Sequence, residues 1–247
     1  MTAIVGLFCK DGVVIGADSS MTLSAAGNFR TIEQSSNKIH IVDGRVIVAG
    51  TGSVGLGQRF CALVEKVGGL KGNPLEAAKQ LCKGAIDDFA QTGLAIGKID
   101  YGALVAFPVQ HQPQLCEFAH GNFQPELRTS QMWFSTMGNH QHITDAFLGL
   151  MKDVFWPDSQ PSLHDGVFTV VWTLEHVVSL NTGGVADPIR IAILETKDGK
   201  AKARILEESE LAQHKQYVAE AKNHMRRFRD NFKPGAAATV PDVPRSN

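Results

Sequence analysis

The second residue, Thr2, is the first candidate for covalent chemistry in this chain. If Met1 is removed, Thr2 carries a hydroxyl and a free α-amine in one residue, and such a threonine can supply both the nucleophile and the base of acyl transfer. The pKa of a free α-amine is about 7.7–8.0 in reference peptides, so part of it is neutral near pH 7 and can accept a proton. A Met-Thr start is common, however, and the prediction depends on the residues that accompany it.

Two charged residues, Asp18 and Lys38, lie at the ends of strand-like runs in the same part of the chain: VVIGA precedes Asp18 and IHIV follows Lys38. A lysine cation beside Thr2 would favour a neutral amine and an alkoxide, and a carboxylate would keep that lysine charged and oriented. The alternatives are a turn or cap role for Asp18 and a solvent-facing strand for Lys38.

The segment GTGSVG, residues 50–55, matches the G-x-G-x-x-G pattern of dinucleotide-binding proteins. Two hairpins precede it and a second helix follows its own helix, so the βαβ unit that this pattern requires is missing. Backbone N–H groups at a helix N-terminus can instead stabilise an oxyanion, and we predict that Gly52 is such a donor.

No metal site and no cofactor is predicted. His140 and His142 form an H-x-H pair, but no third ligand follows at helical or hairpin spacing. The cysteines are scattered without metal-ligand spacing and are typical of small buried apolar residues. They are Cys9, Cys61, Cys82 and Cys116.

Composition predicts an ordinary globular protein of 247 residues with 43% hydrophobic content and a formal net charge of -1. This balance gives no reason to expect nucleic acid as a partner. No apolar run approaches the roughly eighteen residues of a membrane span, and no signal peptide is evident, so we expect no membrane contact and a cytoplasmic location.

The elements that position these residues follow from hydrophobic periodicity. Two hairpins with Asp-Gly turns open the chain, and residues 19–37 between them are polar, typical of a loop or short edge strands. The predicted strands are 3–9, 13–17, 38–42, 45–50, 101–108, 114–119, 131–136, 189–195 and 202–206. The predicted helices are 54–67, 73–92, 141–155, 162–178 and 209–232.

This order of strands, two helices, strands, two helices, strands and one helix predicts the α+β class. We expect a four-layer α-β-β-α sandwich with two antiparallel sheets, because blocks of strands alternate with pairs of helices. The predicted domain covers residues 1–208, and residues 209–247 are predicted to form a charged helix followed by a flexible Pro/Ala tail.

The N-terminal segments together resemble the β-type proteasome subunits, which are N-terminal nucleophile hydrolases. The matching segments are MTAIVGLFCKDGVVIGAD, Met21-Thr22, Lys38-Ile39 and AGTGSVG, and they are most similar to the bacterial single-subunit homologues related to the ring protease HslV. The resemblance is strong over residues 2–58 and extends as element order to about residue 206. It implies that Thr2 is the nucleophile and that Asp18, Lys38 and Gly52 complete the catalytic group.

The resemblance also implies a set of substrate-binding residues. Thr22 would pair with the substrate backbone, and a glycine at Gly50 suggests a deep pocket with no side chain at its floor. The implied pocket positions are Met21, His40, Gly50, Val54 and Gln58. For Met21 and Val54 the alternative is an ordinary core role.

The supporting residues depart from the family pattern. The family has a serine beside the glycine that corresponds to Gly138, where this chain has STMGNH at 135–140. Ser179 stands in place of a family aspartate, and Thr182 could substitute for a supporting serine. Because supporting residues hold a site in its productive geometry, these changes put full activity in question.

The predicted function is a threonine-type endopeptidase in stacked homo-oligomeric rings of seven- or six-fold symmetry. Its substrates would be peptides or unfolded proteins, and an ATP-dependent unfoldase is left open as a partner. Two alternatives remain open: a ring-forming scaffold with weak or no proteolysis, and an N-terminal nucleophile amidase that acts on a small substrate.

Overall fold

The computed structural model describes residues 2–24, 30–67, 70, 72–180 and 183–232. The strands are β1 (Ile4–Cys9), β2 (Gly12–Ala17), β3 (Ser20–Ser24), β4 (Arg30–Ser35), β5 (Ile39–Val42), β6 (Val46–Gly52), β7 (Tyr101–Val109), β8 (Gln112–Phe118), β9 (Pro125–Leu127), β10 (Phe134–Met137), β11 (Arg190–Lys197) and β12 (Lys200–Ile205). The helices are α1 (Val54–Val67), α2 (Pro74–Ala90), α3 (Gln141–Phe155), α4 (Leu163–Ser179) and α5 (Glu208–Asn231).

Two five-stranded antiparallel sheets form the centre of the fold, with strand orders β10-β1-β2-β11-β12 and β5-β6-β7-β8-β9. The predicted α+β class with antiparallel sheets is therefore confirmed. Both N-terminal hairpins form as predicted, β1 with β2 and β5 with β6. The turn of the second hairpin contains Asp43 and Gly44, both with positive φ, between the paired residues Val42 and Val46.

Residues 19–37 contain a separate two-stranded sheet, β3 with β4, which is one of the two alternatives predicted for this polar segment. The elements that differ from the prediction are short. The edge strand β9 has three residues and was not predicted, and β10 begins at 134 instead of 131. Strands this short span too few residues for an alternating pattern to be recognised, so their position depends on pairing with a neighbour.

Three clusters of buried side chains account for the packing. One joins α1 and α2 to the β5-to-β9 sheet, one joins α3 and α4 to the β1-containing sheet, and one lies between the two sheets. Representative members are, in that order, Phe60, Phe89 and Phe123; Leu148, Val170 and Leu174; and Ile4, Ile15, Ile47 and Leu104. Strands β1 and β2 take part in two clusters, which explains their nearly continuous apolar sequence.

Helix α5 contacts α4 through its first half, where His214 and Val218 are buried. The division of the chain at residue 208 stays a prediction, and the predicted Pro/Ala tail from residue 233 onward lies outside the described residues. Across the described ranges, no helix combines the length and the apolar character needed to cross a membrane.

Candidate active site

Thr2 lies immediately before β1, at one wall of a cleft of about 410 Å³. The residue is 8% exposed, so it is largely enclosed but reachable from the cleft. Lys38, Gly52 and Asn139 also line this cleft. The structure therefore brings three of the four predicted catalytic residues to one cavity, and the fourth, Asp18, contacts Lys38 and the amide of Ala3 next to Thr2.

Asp18 fixes the backbone beside Thr2. Its Oδ1 accepts a hydrogen bond from the Ala3 amide at 2.9 Å, and its own amide donates to the Ala3 carbonyl at 3.2 Å. Its Oδ2 accepts from the Ser20 amide at 2.8 Å. Because the Asp18 side chain is 0% exposed, these donors replace the water molecules that the carboxylate loses on burial. The carboxylate thus joins the first residues of the chain to the start of β3.

Lys38 is the charge partner of Asp18. Its Nζ lies 2.6 Å from Asp18 Oδ1, and its side chain is only 7% exposed, unlike the solvent-facing alternative considered for this strand. Burial lowers the pKa of Lys38 below its ordinary value, and the Asp18 carboxylate opposes that shift by favouring the ammonium form. A lysine whose pKa is lowered in this way can exchange a proton more readily than an exposed one.

Gly52 ends β6 at the point where the chain turns into α1. Its φ is +103°, a conformation that glycine adopts without the strain imposed by a side chain. A Cβ at this position would lie 2.4 Å from the Asp100 carbonyl oxygen, so β7 also requires a glycine here. The N-terminus of α1 opens on the cleft through Ser53 and Val54, and its first turn has no acidic residue to satisfy its positive end.

Gly138 is part of the site because of its contact with Thr2. It has a φ of +103°, and a Cβ there would lie 2.1 Å from the Thr2 carbonyl oxygen and 3.2 Å from Thr2 Cβ. The contact arises because β1 and β10 pair antiparallel, with Ile4 opposite Met137. The turn after β10 therefore supports the backbone of Thr2 directly.

His140 also contacts Thr2, which the sequence analysis did not predict. The residue is 5% exposed and its ring forms a hydrogen bond with the backbone of Thr2. Burial lowers the pKa of His140, the charge of His142 lowers it further, and Asp18 opposes both. The neutral imidazole therefore predominates near pH 7. The sequence pattern suggested a metal-binding pair or a helix cap for His140 and gave no sign of its contact with Thr2.

Ser20 adds a polar group to the same wall. It is 3% exposed, it lines the cleft, and its hydroxyl has no hydrogen-bond partner among the described residues. A buried hydroxyl without a partner costs roughly 1–3 kcal/mol, so a ligand that forms a hydrogen bond with Ser20 would bind more tightly.

The predicted substrate-binding residues mostly line the cleft. Met21, His40, Gly50, Val54 and Gln58 all contribute to its walls. The space beside Gly50 is not free for substrate, however, because a Cβ on Gly50 would lie 2.3 Å from the hydroxyl oxygen of a buried tyrosine of β7. The expected deep pocket is therefore closed at this point by a side chain that the sequence analysis had not identified.

Thr22 lies in β3, where its backbone pairs with Glu33 of β4, and its side chain lies outside what the structure describes. Of the two predicted supporting residues, Ser179 ends α4 and its hydroxyl donates to the His176 carbonyl at 2.7 Å, a bond within its own helix. Thr182 lies outside the described residues. The supporting role of both residues stays a prediction.

Within the described ranges, no three His, Cys, Asp or Glu side chains come together as a metal site would need. The residues that do converge are a threonine, a buried lysine–aspartate pair and polar groups around an open cleft. This set is suited to nucleophilic acyl transfer, in which the protein supplies the nucleophile, the proton acceptor and the oxyanion donors.

Comparison with known proteins gives one family match. A family model described as Proteasome subunit matches residues 2–67, a range that contains all four predicted catalytic residues. No curated protein sequence matches the chain.

Two solved structures have a similar fold. A Gly-1 mutant of Anbu from Hyphomicrobium sp. strain MC1 superposes with a TM-score of 0.69 at 14% identity, covering 94% of this chain and 98% of that chain. Anbu, an ancestral beta-subunit, from Yersinia bercovieri has a TM-score of 0.66 at 13% identity, covering 96% of this chain and 100% of that chain. These relatives do not support the specific resemblance to HslV. The chain is proteasome-like in its N-terminal part and has the fold seen in these Anbu structures.

Proposed function

We propose that this chain is a threonine peptidase of the N-terminal nucleophile type, active once Met1 is removed. The observation that carries the proposal is the Asp18 carboxylate, which binds the amide beside Thr2 at 2.9 Å and the Lys38 ammonium at 2.6 Å. One buried carboxylate therefore fixes both the backbone of the nucleophile and the cation that would activate it. A purely structural ion pair would not need this connection to the second residue of the chain.

In the proposed reaction the Thr2 hydroxyl oxygen attacks the carbonyl carbon of the scissile bond. Its proton passes to the α-amine of Thr2, directly or through water, and Lys38 stabilises the oxygen as it becomes negative. The negative charge on the former carbonyl oxygen is stabilised by the Gly52 N–H and by the positive end of α1. The Gly138 turn and His140 hold the Thr2 backbone while this charge develops.

The tetrahedral intermediate then collapses. The C–N bond breaks, the leaving amine takes the proton that the α-amine holds, and an ester links the acyl group to Thr2. A water molecule attacks this ester, with the α-amine again as base, and the Thr2 hydroxyl is restored. No group outside the protein, apart from water, is needed to balance the two steps.

The finer architecture belongs to the same proposal. The three packing clusters support the order α1/α2, first sheet, second sheet, α3/α4, which is the α-β-β-α sandwich expected from the sequence. Self-association into rings is supported by apolar residues that α3 leaves in solvent: Leu150, Val154 and Phe155 are 55%, 60% and 45% exposed. The four cysteines are free thiols, which fits the proposed cytoplasmic location.

Two other functions would use the same fold. A scaffold without proteolysis is favoured by the missing serine beside Gly138 and by Ser179 in place of an aspartate, and an amidase for a small substrate is favoured if the protein remains a monomer with an open cleft. Sedimentation analysis distinguishes a closed ring from a monomer. The proposal expects a chambered ring that cleaves peptides.

The deciding experiment treats the purified protein with a peptidyl epoxyketone and measures its intact mass. This reagent forms a stable morpholine ring only with a residue that presents both a hydroxyl and a free amine. We expect loss of Met1 and one adduct, absent from Thr2→Ala and retained in Thr196→Ala, which removes a threonine hydroxyl on β11 that bonds the His111 carbonyl. Retained Met1, or an adduct that survives Thr2→Ala, refutes the proposal.

A further inference from the structure

Tyr101 lies at the bottom of the proposed active-site cleft. It begins β7 and pairs with Gly52, and it is 4% exposed. Its ring packs among core aromatic rings, 6.1 Å from Phe60 and 5.9 Å from Phe123 between centroids. Because the ring is enclosed by these neighbours, Tyr101 is held in one position.

The hydroxyl of Tyr101 occupies the space beside the two glycines of the cleft wall. A Cβ at Gly50 would lie 2.3 Å from the hydroxyl oxygen, and a Cβ at Gly57 would lie 3.1 Å from ring atom Cε2. Any side chain at Gly50 would therefore displace the phenol. The two glycines let the phenol approach the cleft, and its hydroxyl forms the floor where the sequence had suggested an empty space.

This floor is neutral and able to form hydrogen bonds. Burial raises the pKa of Tyr101, so its hydroxyl stays protonated and can both donate and accept a hydrogen bond. The neighbouring Cys61 thiol is also neutral, since burial and Glu65 raise its pKa to about 11. None of the described cleft-lining residues is acidic, and the ammonium of Lys38 is paired with Asp18.

We infer that Tyr101 determines which residue the enzyme accepts on the acyl side of the scissile bond. Its hydroxyl selects a neutral side chain of intermediate length that ends in a hydrogen-bonding group, with glutamine preferred over methionine of similar length. Lysine and arginine are rejected because a buried cation would find no carboxylate. Large aromatic side chains are rejected because the phenol of Tyr101 already fills the floor. The inference rests on the proposed peptidase function.

The selection follows from the cost of leaving polar groups unpaired. A site with a hydrogen-bonding group discriminates against a ligand that lacks the complementary group, because the buried hydroxyl then stays unsatisfied. A single neutral hydrogen bond corresponds to a difference of roughly threefold to tenfold in kcat/KM. The glutamine amide can both donate to and accept from a phenol, whereas the methionine thioether is a weak acceptor.

The test compares Tyr101→Phe with the wild type on peptides that differ only at the acyl-side residue, which is glutamine, methionine, lysine or phenylalanine. Tyr217→Phe is the matched control, because Tyr217 lies on α5 outside the cleft and its hydroxyl bonds the exposed Gln213. We expect Tyr101→Phe to lower kcat/KM for the glutamine peptide roughly threefold to tenfold and to change the methionine peptide less than about twofold. Tyr217→Phe should change neither.

Labelling by epoxyketones with glutamine or methionine at the same position gives a second readout that does not depend on turnover. The inference is overturned if Tyr101→Phe lowers kcat/KM equally for the glutamine and methionine peptides. It is also overturned if the wild type prefers lysine or phenylalanine. If the wild type forms a Thr2 adduct with both epoxyketones and cleaves the four peptides without preference, the inference fails and the proposed function stands. If no Thr2 adduct forms with either epoxyketone, both fail.

Discussion

Replacing Lys38 by methionine is the sharpest test of the buried pair that the site depends on. The substitution keeps most of the side-chain volume and removes the charge, while the Asp18 side chain stays 0% exposed. Removing one partner of a buried ion pair costs about 3–5 kcal/mol in unfolding free energy. Because two backbone amides still donate to Asp18, we expect a loss near the lower end, about 3 kcal/mol, together with loss of the epoxyketone adduct.

The measurement is urea unfolding at pH 7, with the loss taken from the midpoint at an unchanged m-value. Lys79→Met is the matched control, because Lys79 forms an exposed pair with Glu76 in which both side chains are more than half exposed. In a Lys38→Met, Asp18→Asn double variant, the destabilisation should be smaller than the sum of the two single losses. If Lys38→Met is no more destabilising than Lys79→Met, the reasoning from burial is wrong.

The remaining predictions concern the turn beside the nucleophile and the docking of α5. Gly138→Ala should abolish the adduct and destabilise the fold by more than Gly97→Ala. Both glycines have a similar positive φ, but only at Gly138 would the new Cβ meet a backbone atom, at 2.1 Å. Equal effects of the two substitutions in unfolding and labelling experiments would contradict this. Burial and the charge of His164 lower the pKa of His214, so below about pH 6.5 the unfolded chain binds a proton that the folded chain does not. Stability should therefore fall from pH 7 to pH 5, and His214→Asn should flatten this slope in thermal unfolding while His224→Gln, on the exposed part of α5, should not.

Elements with strong periodicity could be predicted closely from the sequence. The predicted bounds of α1 and α3 agree with the structure at every residue, and α2, predicted as 73–92, spans Pro74–Ala90 with Asn73 as its N-cap. These helices each bury one face, so the apolar residues recur at helical spacing and the ends have clear signals. The polar pair β3–β4 and the short β9 carry no such pattern, because their positions are set by pairing with other strands.

Some residues of the candidate site could be predicted from the sequence and others could not. Thr2, Asp18, Lys38 and Gly52 could be associated from the sequence because they lie at the ends of adjacent hairpin strands within one short stretch of chain. The contributions of Gly138, His140 and Tyr101 come from residues far away in the sequence. They depend on two pairings, β1 with β10 and β6 with β7.

The sequence by itself thus predicted the type of chemistry, because a second-position threonine followed by an aspartate, a lysine and a glycine at strand ends carries the functional groups that acyl transfer needs. Tertiary structure alone decided how deeply Lys38 is buried, which backbone supports Thr2, and what closes the floor of the cleft. The support of Thr2 and the closing of the floor depend on strand pairings between residues more than forty positions apart in the chain. Register is set by the simultaneous packing of both sheets, and no local pattern of residues encodes it.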